Sequence, residues 1–554
     1  MFFGEKIMKP YYLSVTYRAN GVQKSSNLLL SDDYEIKAEE TGEHLKLKLF
    51  PKSEMEITSF ALIFDYDYIK YNRIFVNGYQ SWTDSREYHT DEMMTVVNRL
   101  VRKKILTSSA SRGSDMHFVP AETQRGTFHG YSYSYIRNGI NIDLIGSVSE
   151  RSGYTIIFFD TNKNTVTVKK DYDGVKFKGP AELIDLVWIK DEYNAAFDRY
   201  FEYMQITPIE KKLSSGYTTW YNYYGNVTEA IVKRDLQSLV NLPKKVDIFQ
   251  IDDGYQSAIG DWLIVNEKFP SGMKKCADAV HENGMKAGLW LAPFAATPDS
   301  KVFKEHNDWL IKDDYGQPLC VGHNWGGFYA LDIYDEGARE YIRHFFDVVL
   351  NEWGYDMVKL DFLYACCTKP IHNKTRGQIM CDAMDFLREC VGDKLILGCG
   401  VPMAPAFGKV DFCRIGADMG LDWKRNHFTT REDVSTPNAI YNTVFRRHLD
   451  GRAFLNDPDV FLLRDNNMFM SYKKRKLIAK INHIFGNLLF TSDNVDRYNK
   501  EKINTFLAAV DENKEKFISA EMTEKRDLTI VYEENGQRHS LCFNVETGRI
   551  KASV

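Results

Sequence analysis

Between residues 216 and 491 one alternation recurs: short apolar runs close on polar residues, and segments with helical periodicity lie between several of them. The runs occupy residues 216–222, 246–252, 285–293, 357–362, 395–401, 412–418, 453–456 and 487–491. Apolar runs this short, separated by amphipathic segments, read as strands of a parallel sheet buried on both faces. Eight of them predict a (β/α)₈ barrel. The helix signals agree. Thr228 is a good N-cap for a helix reaching Leu242, and Gly284 and Gly354 stand where two further helices, the second starting at Glu336, should stop. The competing arrangement is an open doubly wound sheet. No strand in the repeat ends in a complete GxGxxG; Gly398-Cys399-Gly400 is only a fragment of one.

The flanks follow a different period. Leu45, Leu47 and Leu49 alternate with Lys46 and Lys48, as in a half-buried strand. Val166 and Val168, then Val175 and Phe177, alternate across Tyr172-Asp173-Gly174, which predicts a hairpin. After residue 515, Leu528 and Ile530, a turn at Asn535-Gly536, then Leu541 and Phe543 repeat the pattern. The expected architecture is multidomain α/β and all-β: an N-terminal β-sandwich over residues 1–205, a catalytic TIM barrel over 206–514 and a small C-terminal β-sandwich domain over 515–554.

Composition narrows the function classes. Hydrophobic residues at 44% and charged residues at 27% exclude wholesale disorder. A net charge of −5 gives no reason to seek phosphate backbones, so nucleic acid is not an expected partner. No apolar run approaches the roughly 20 residues needed to span a bilayer, so no membrane partner is expected either. Nine cysteines without a CxxC spacing or a regular framework read as reduced, and the opening residues lack a leader pattern; both point to the cytoplasm. Aromatic residues at 14% suit a large core and also suit the C–H faces of sugar rings.

Barrel enzymes collect their chemistry at the C-terminal ends of the strands. The second run closes on Asp252-Asp253-Gly254-Tyr255, two adjacent carboxylates that need donors. In the fourth, Lys359 and Asp361 are two apart and point to one side of a strand, leaving Val358, Leu360 and Phe362 for the helices. The ammonium is expected to hold Asp361 ionised, as a nucleophile requires. The sixth run carries Arg414 and is followed by Asp418. Two carboxylates on different strands facing one pocket can cleave a glycosidic bond: one with a low pKa attacks, and the other, raised by the first, protonates the leaving oxygen. Trp220 and Trp290 are candidate ring platforms. Neither HEXXH nor a His-x-His on the first run is present, so no metal and no cofactor is expected. Walker and GxSxG motifs are also missing.

With these residues in view the sequence resembles glycoside hydrolase family 36, the α-galactosidase (melibiase) family. The resemblance rests on the order and spacing of several stretches. They are Ile251-Asp252-Asp253-Gly254-Tyr255, Gly260-Asp261-Trp262, His281-Glu282-Asn283-Gly284-Met285, Gly288-Leu289-Trp290-Leu291-Ala292-Pro293-Phe294, Lys359-Leu360-Asp361-Phe362 and Arg414-Ile415-Gly416-Ala417-Asp418. Asn77-Gly78-Tyr79-Gln80-Ser81-Trp82 is a further family-like segment. The resemblance implies a retaining, exo-acting α-galactosidase on small oligosaccharides, with Asp361 as nucleophile and Asp418 as acid–base. It implies Asp252, Asp253 and Lys359 on the galactose hydroxyls, Arg414, Trp220 and Trp290 along the pocket, Trp82 reaching in from the sandwich, and Cys399 near the 2-position. Tyr255, Leu360 and Pro293-Phe294 depart from the usual residues, which leaves α-N-acetylgalactosaminidase and α-galactosyl transglycosidase as alternatives. A monomer and a homo-oligomer are both compatible with the sequence.

Overall fold

The computed structural model describes residues 10–94, 112–119, 124–423, 431–512 and 515–553. The first residues, searched above for a leader, and the boundary at residue 514 lie outside them. Each apolar run overlaps one strand of a single parallel sheet. The strands are β1 (Ser214–Thr218), β2 (Ile248–Ile251), β3 (Lys286–Leu291), β4 (Met357–Leu360), β5 (Leu395–Gly398), β6 (Phe412–Arg414), β7 (Leu455–Asp457) and β8 (Leu488–Thr491). They pair in sequence order from β1 to β7, and β1 also pairs with β8. The ring closes where the Asn487 N–H donates to the Asn456 carbonyl at 2.9 Å. A near-closed ring, not an open sheet, is what the eight runs build.

The caps behave as the residue types dictate. The Thr228 hydroxyl accepts the Ile231 N–H at 3.2 Å and starts the helix Glu229–Val240, a cap worth about 1 kcal/mol. Gly284 closes Met273–Glu282 with φ at +67°, the left-handed region open to glycine. The helix Glu336–Asp347 runs on into one π-helical turn, Val348–Glu352, before Gly354.

The N-terminal part is a sandwich of two seven-stranded antiparallel sheets. Leu45, Leu47 and Leu49 are buried between the sheets, with Lys46 and Lys48 on the outer side, as the alternation predicted. The expected hairpin is not formed as such. A turn exists at Gly174 (φ +68°), but Thr165–Lys170 and Lys176–Phe177 both pair with Met55–Asp65 and not with each other. The segment between them is drawn toward the barrel, where Asp171 accepts two bonds from Arg376 at 2.6 and 2.8 Å. Thr165–Lys170 already has Thr155–Asp160 on one edge and Met55–Asp65 on the other, so no edge is left for a hairpin partner.

The C-terminal part is one four-stranded antiparallel sheet. Its hairpin turns at Asn535 and Gly536, both at positive φ. The layer facing this sheet comes from barrel helices. Phe517 meets Phe485 at 5.3 Å between ring centres, and the Tyr441 hydroxyl donates to Glu546 at 2.9 Å. All nine cysteines are unpaired. Among the described residues no helix is long and apolar enough to cross a membrane, and no cluster of three metal-ligating side chains occurs.

Candidate active site

A cavity of about 400 Å³ opens at the C-terminal end of the barrel strands. Trp82, Trp220, Asp252, Asp253, Trp290, Lys359, Asp361 and Asp418 all line it. Cys399 and Arg414 do not; both are buried one layer behind the wall.

The floor is built on strand ends. Lys359, the third residue of β4, extends its ammonium to Asp252 Oδ2 at 3.0 Å and lies 3.9 Å from Asp361 Oδ2. Asp252 Oδ2 also accepts from Gln250 Nε2 at 2.7 Å and Thr218 Oγ1 at 3.3 Å, so three strands converge on one oxygen. Asp361 accepts the Trp290 indole N–H at 3.1 Å and the Phe362 N–H at 2.8 Å. Asp253 is held by Gln256 at 2.6 Å and by the Trp325 indole N–H at 3.2 Å. Trp290 stands edge-on between Trp262 and Trp325, with ring centres 5.8 and 6.1 Å away.

Arg414 holds Asp418 from behind. Its Nη2 donates to Asp418 Oδ1 at 3.0 Å and lies 3.3 Å from Asp459 Oδ2. Placing Arg414 on the cavity wall was therefore wrong by one layer: on β6 its side chain turns inward beneath the loop that carries Asp418. Cys399 is likewise covered, its sulfur accepting the Trp82 indole N–H at 3.4 Å.

The electrostatics reverse the expectation for both carboxylates. Burial pushes Asp361 above its ordinary value, and Lys359 with the Trp290 N–H only partly offsets that. The reason is visible in the distances, since the ammonium sits closer to Asp252 than to Asp361. Asp418 is drawn below its ordinary value: burial opposes this, but Arg414 and then Lys359 outweigh it. Lys359 stays charged because Asp252 and Asp361 overcome its burial. Burial, then the neighbouring Asp252 and Asp361 charges, raise Asp253 against its hydrogen bonds from Gln256 and Trp325.

The strand argument also misassigned Phe362. β4 ends at Leu360, Phe362 takes left-handed φ (+53°), and its ring lines the cavity instead of the helices. The turn is fixed from outside. Trp82 packs edge-on against Phe362 at 5.1 Å, and a Cβ on Gly400 would lie 2.8 Å from Trp82 and 2.9 Å from the Phe362 nitrogen, so glycine is required there.

Trp82 reaches the barrel because its loop is clamped. Arg446, fully buried, donates to the carbonyls of Gly78, Gln80, Ser81 and Ile415 at 2.7–3.2 Å. Burial lowers its pKa to about 10. The sequence argument missed Arg446, and it missed Ser114, Trp325, Tyr364 and Glu432 on the cavity wall. A tryptophan in the glycine-rich stretch 322–327 was the one available signal. Glu432 carries none: its Oε1 accepts from Thr83 Oγ1 at 2.8 Å and from the Asp115 N–H at 3.2 Å, both distant in sequence.

Residues 217–380 match the melibiase family model, so the chain carries a melibiase-family domain. The "A type blood alpha-D-galactosamine galactosaminidase" of Flavonifractor plautii is 34% identical over 133 residues, 22% of this chain and 12% of that protein. The α-galactosidase Mel36A of Lactobacillus acidophilus is 33% identical over 135 residues, 23% of this chain and 18% of that one. The matched stretches thus span less than a fifth of these relatives' length. An α-galactosidase from Thermus thermophilus, solved with p-nitrophenyl α-D-galactopyranoside, superposes with a TM-score of 0.70 over 95% of this chain and 98% of that one at 23% identity. That likeness establishes a shared fold from the sandwich to the C-terminal sheet, and the resemblance to glycoside hydrolase family 36 stands.

Proposed function

We propose that this chain, with its melibiase-family barrel, is an exo-acting α-galactosidase that releases terminal α-linked galactose from small oligosaccharides by double displacement. The observation that carries this is the placement of Asp361 and Asp418 on one cavity whose floor is Asp252, Asp253 and Lys359. Carboxylates and an ammonium at fixed positions suit the hydroxyls of a single sugar ring, and a closed floor suits attack at a chain end. The α-galactosidases among its relatives favour galactose as that sugar.

In the proposed cycle a carboxylate oxygen of Asp361 attacks the anomeric carbon. The bond to the leaving oxygen breaks, and that oxygen takes the proton of Asp418. Water then attacks the galactosyl ester, gives its proton to Asp418 and releases galactose with its α configuration retained. Asp361 is raised and Asp418 lowered in the free protein, and Asp418 must carry a proton when the bond breaks. Residues 206–514 supply this chemistry, residues 1–205 contribute Trp82, and residues 515–554 cover barrel helices. Nine unpaired cysteines suit a reducing compartment, and we assign the chain to the cytoplasm.

The test is a panel of nitrophenyl α-glycosides with NMR of the first-formed sugar. Galactoside turnover with α-galactose appearing first is the expected result; β-galactose first would reject the double displacement. Because one relative is named a galactosaminidase, α-galactosaminide and α-N-acetylgalactosaminide belong in the panel, and preference for either would move the substrate assignment.

A further inference from the structure

Behind Asp418 lies a carboxylate that the proposed cycle does not use. Asp459 follows Pro458 at the end of β7 and is 4% exposed. Its Oδ2 accepts the Met419 N–H at 2.7 Å, lies 3.3 Å from Arg414 Nη2 and accepts the Tyr221 hydroxyl. The same Arg414 nitrogen donates to Asp418 Oδ1 at 3.0 Å. One guanidinium nitrogen is thus divided between two carboxylates, and one of these also pins the peptide that follows the other. The backbone supports the arrangement. Asp459 sits at φ +78°, which aspartate and asparagine tolerate better than most residues, and its N–H is fixed by Asp457 Oδ1 at 2.8 Å.

We propose that Asp459 is the positioning residue of the acid–base carboxyl: by sharing Arg414 and holding the Met419 peptide, it keeps Asp418 from being locked as an ion pair and free to carry the proton. This rests on the assignment of Asp418 as acid–base.

The charged and titratable groups around this pair come from several strands. Arg414 and Lys359 favour ionised Asp418; Asp361, Asp457, Tyr221 and Tyr224 face the same cluster, and the Cys399 thiol lies behind it. Asp459 is the carboxylate among them that contacts the guanidinium nitrogen holding Asp418. Its negative charge opposes loss of the Asp418 proton, so removing it makes Asp418 the stronger acid.

Asp459→Asn keeps an oxygen acceptor and suits the backbone. Asp459→Gly suits the backbone and removes the group. Both are compared with wild type on α-galactosyl fluoride, which leaves without protonic help, and on a galactosyl disaccharide, which needs it. In both variants the alkaline limb of kcat/KM for the disaccharide should move to lower pH by about one unit or more. The change in kcat/KM should be several-fold smaller on the fluoride than on the disaccharide. An unmoved limb, or equal losses on both substrates, would overturn the inference. Asp418→Gly distinguishes the premise: kcat/KM reports only the first displacement, so if kcat/KM falls as far on the fluoride as on the disaccharide, the acid–base assignment fails, whatever the Asp459 variants do. If Asp418→Gly keeps kcat/KM on the fluoride and the Asp459 limb stays in place, only the role of Asp459 fails.

Discussion

The floor and the rim of the cavity are built by different rules. The floor comes from adjacent strands: Asp252 follows β2, Trp290 lies on β3, Lys359 lies on β4, and Asp361 follows β4, all nearly buried. Each is placed by a backbone that its neighbours already hold in register. The rim comes from loops of two domains: Trp82 and Ser114 from the sandwich, Trp325 and Glu432 from barrel loops. These side chains are half-exposed or clamped by distant partners such as Arg446. On the proposed reading the floor fixes one sugar ring, while the rim meets whatever is attached to it. The lesson is that strand ends and loops shape one cavity by separate means, so under the proposed function bond cleavage and selectivity for the leaving group would reside on parts of the chain that can vary separately.

Four perturbations test this division. The largest effect belongs to the floor. Asp361→Asn should lower turnover at least ~10⁴-fold with the fold intact, because a nucleophile has no substitute; steady-state kinetics with far-UV dichroism checks it, and retained activity would remove Asp361 from the chemistry. Next, Lys359→Met should strip the floor of its ammonium and leave Asp252 buried without its ion partner. Breaking such a pair costs about 3–5 kcal/mol, measurable by urea unfolding, and loss of stability without loss of affinity would detach Lys359 from the sugar. At the rim, Trp82→Ala should lower kcat/KM for disaccharides by about tenfold, roughly 1.4 kcal/mol, and affect the fluoride much less. Equal losses on the two substrates would erase the distinction between floor and rim.

The smallest effect is a pH dependence. Burial, then the charge of Asp115, push Glu432 up to about 7 from an ordinary 4.5. The folded chain therefore keeps a proton that the unfolded chain gives up over this interval. Stability from this group is full below the lower value and is lost as pH rises through the upper one. Glu432→Gln should flatten the urea midpoint between about pH 4.5 and 7 relative to wild type. An unchanged slope would place the rim carboxylate in an ordinary solvated setting.

Much of the floor was legible because its rules are local. A period of two puts Lys359 and Asp361 on one side, and eight short apolar runs can bury both faces only in a parallel sheet covered by helices. The errors arose where that period stops. Phe362 leaves the strand with positive φ and swings into the cavity, and the expected 166–177 hairpin gives way to pairing with Met55–Asp65 while Asp171 binds Arg376. Neither contact has a local signature.

The sequence by itself determined the eight-stranded barrel, the two β flanks and which carboxylates stand at strand ends, since these follow from hydrophobic period and turn chemistry. Tertiary structure alone decided that Arg414 lies behind Asp418, that Arg446 clamps a sandwich loop 366 positions away at Gln80, and that burial raises Asp361 while Asp418 is lowered. Protonation depends on the sum of burial and charge over every segment that converges on a group, and no window of neighbouring residues contains that sum.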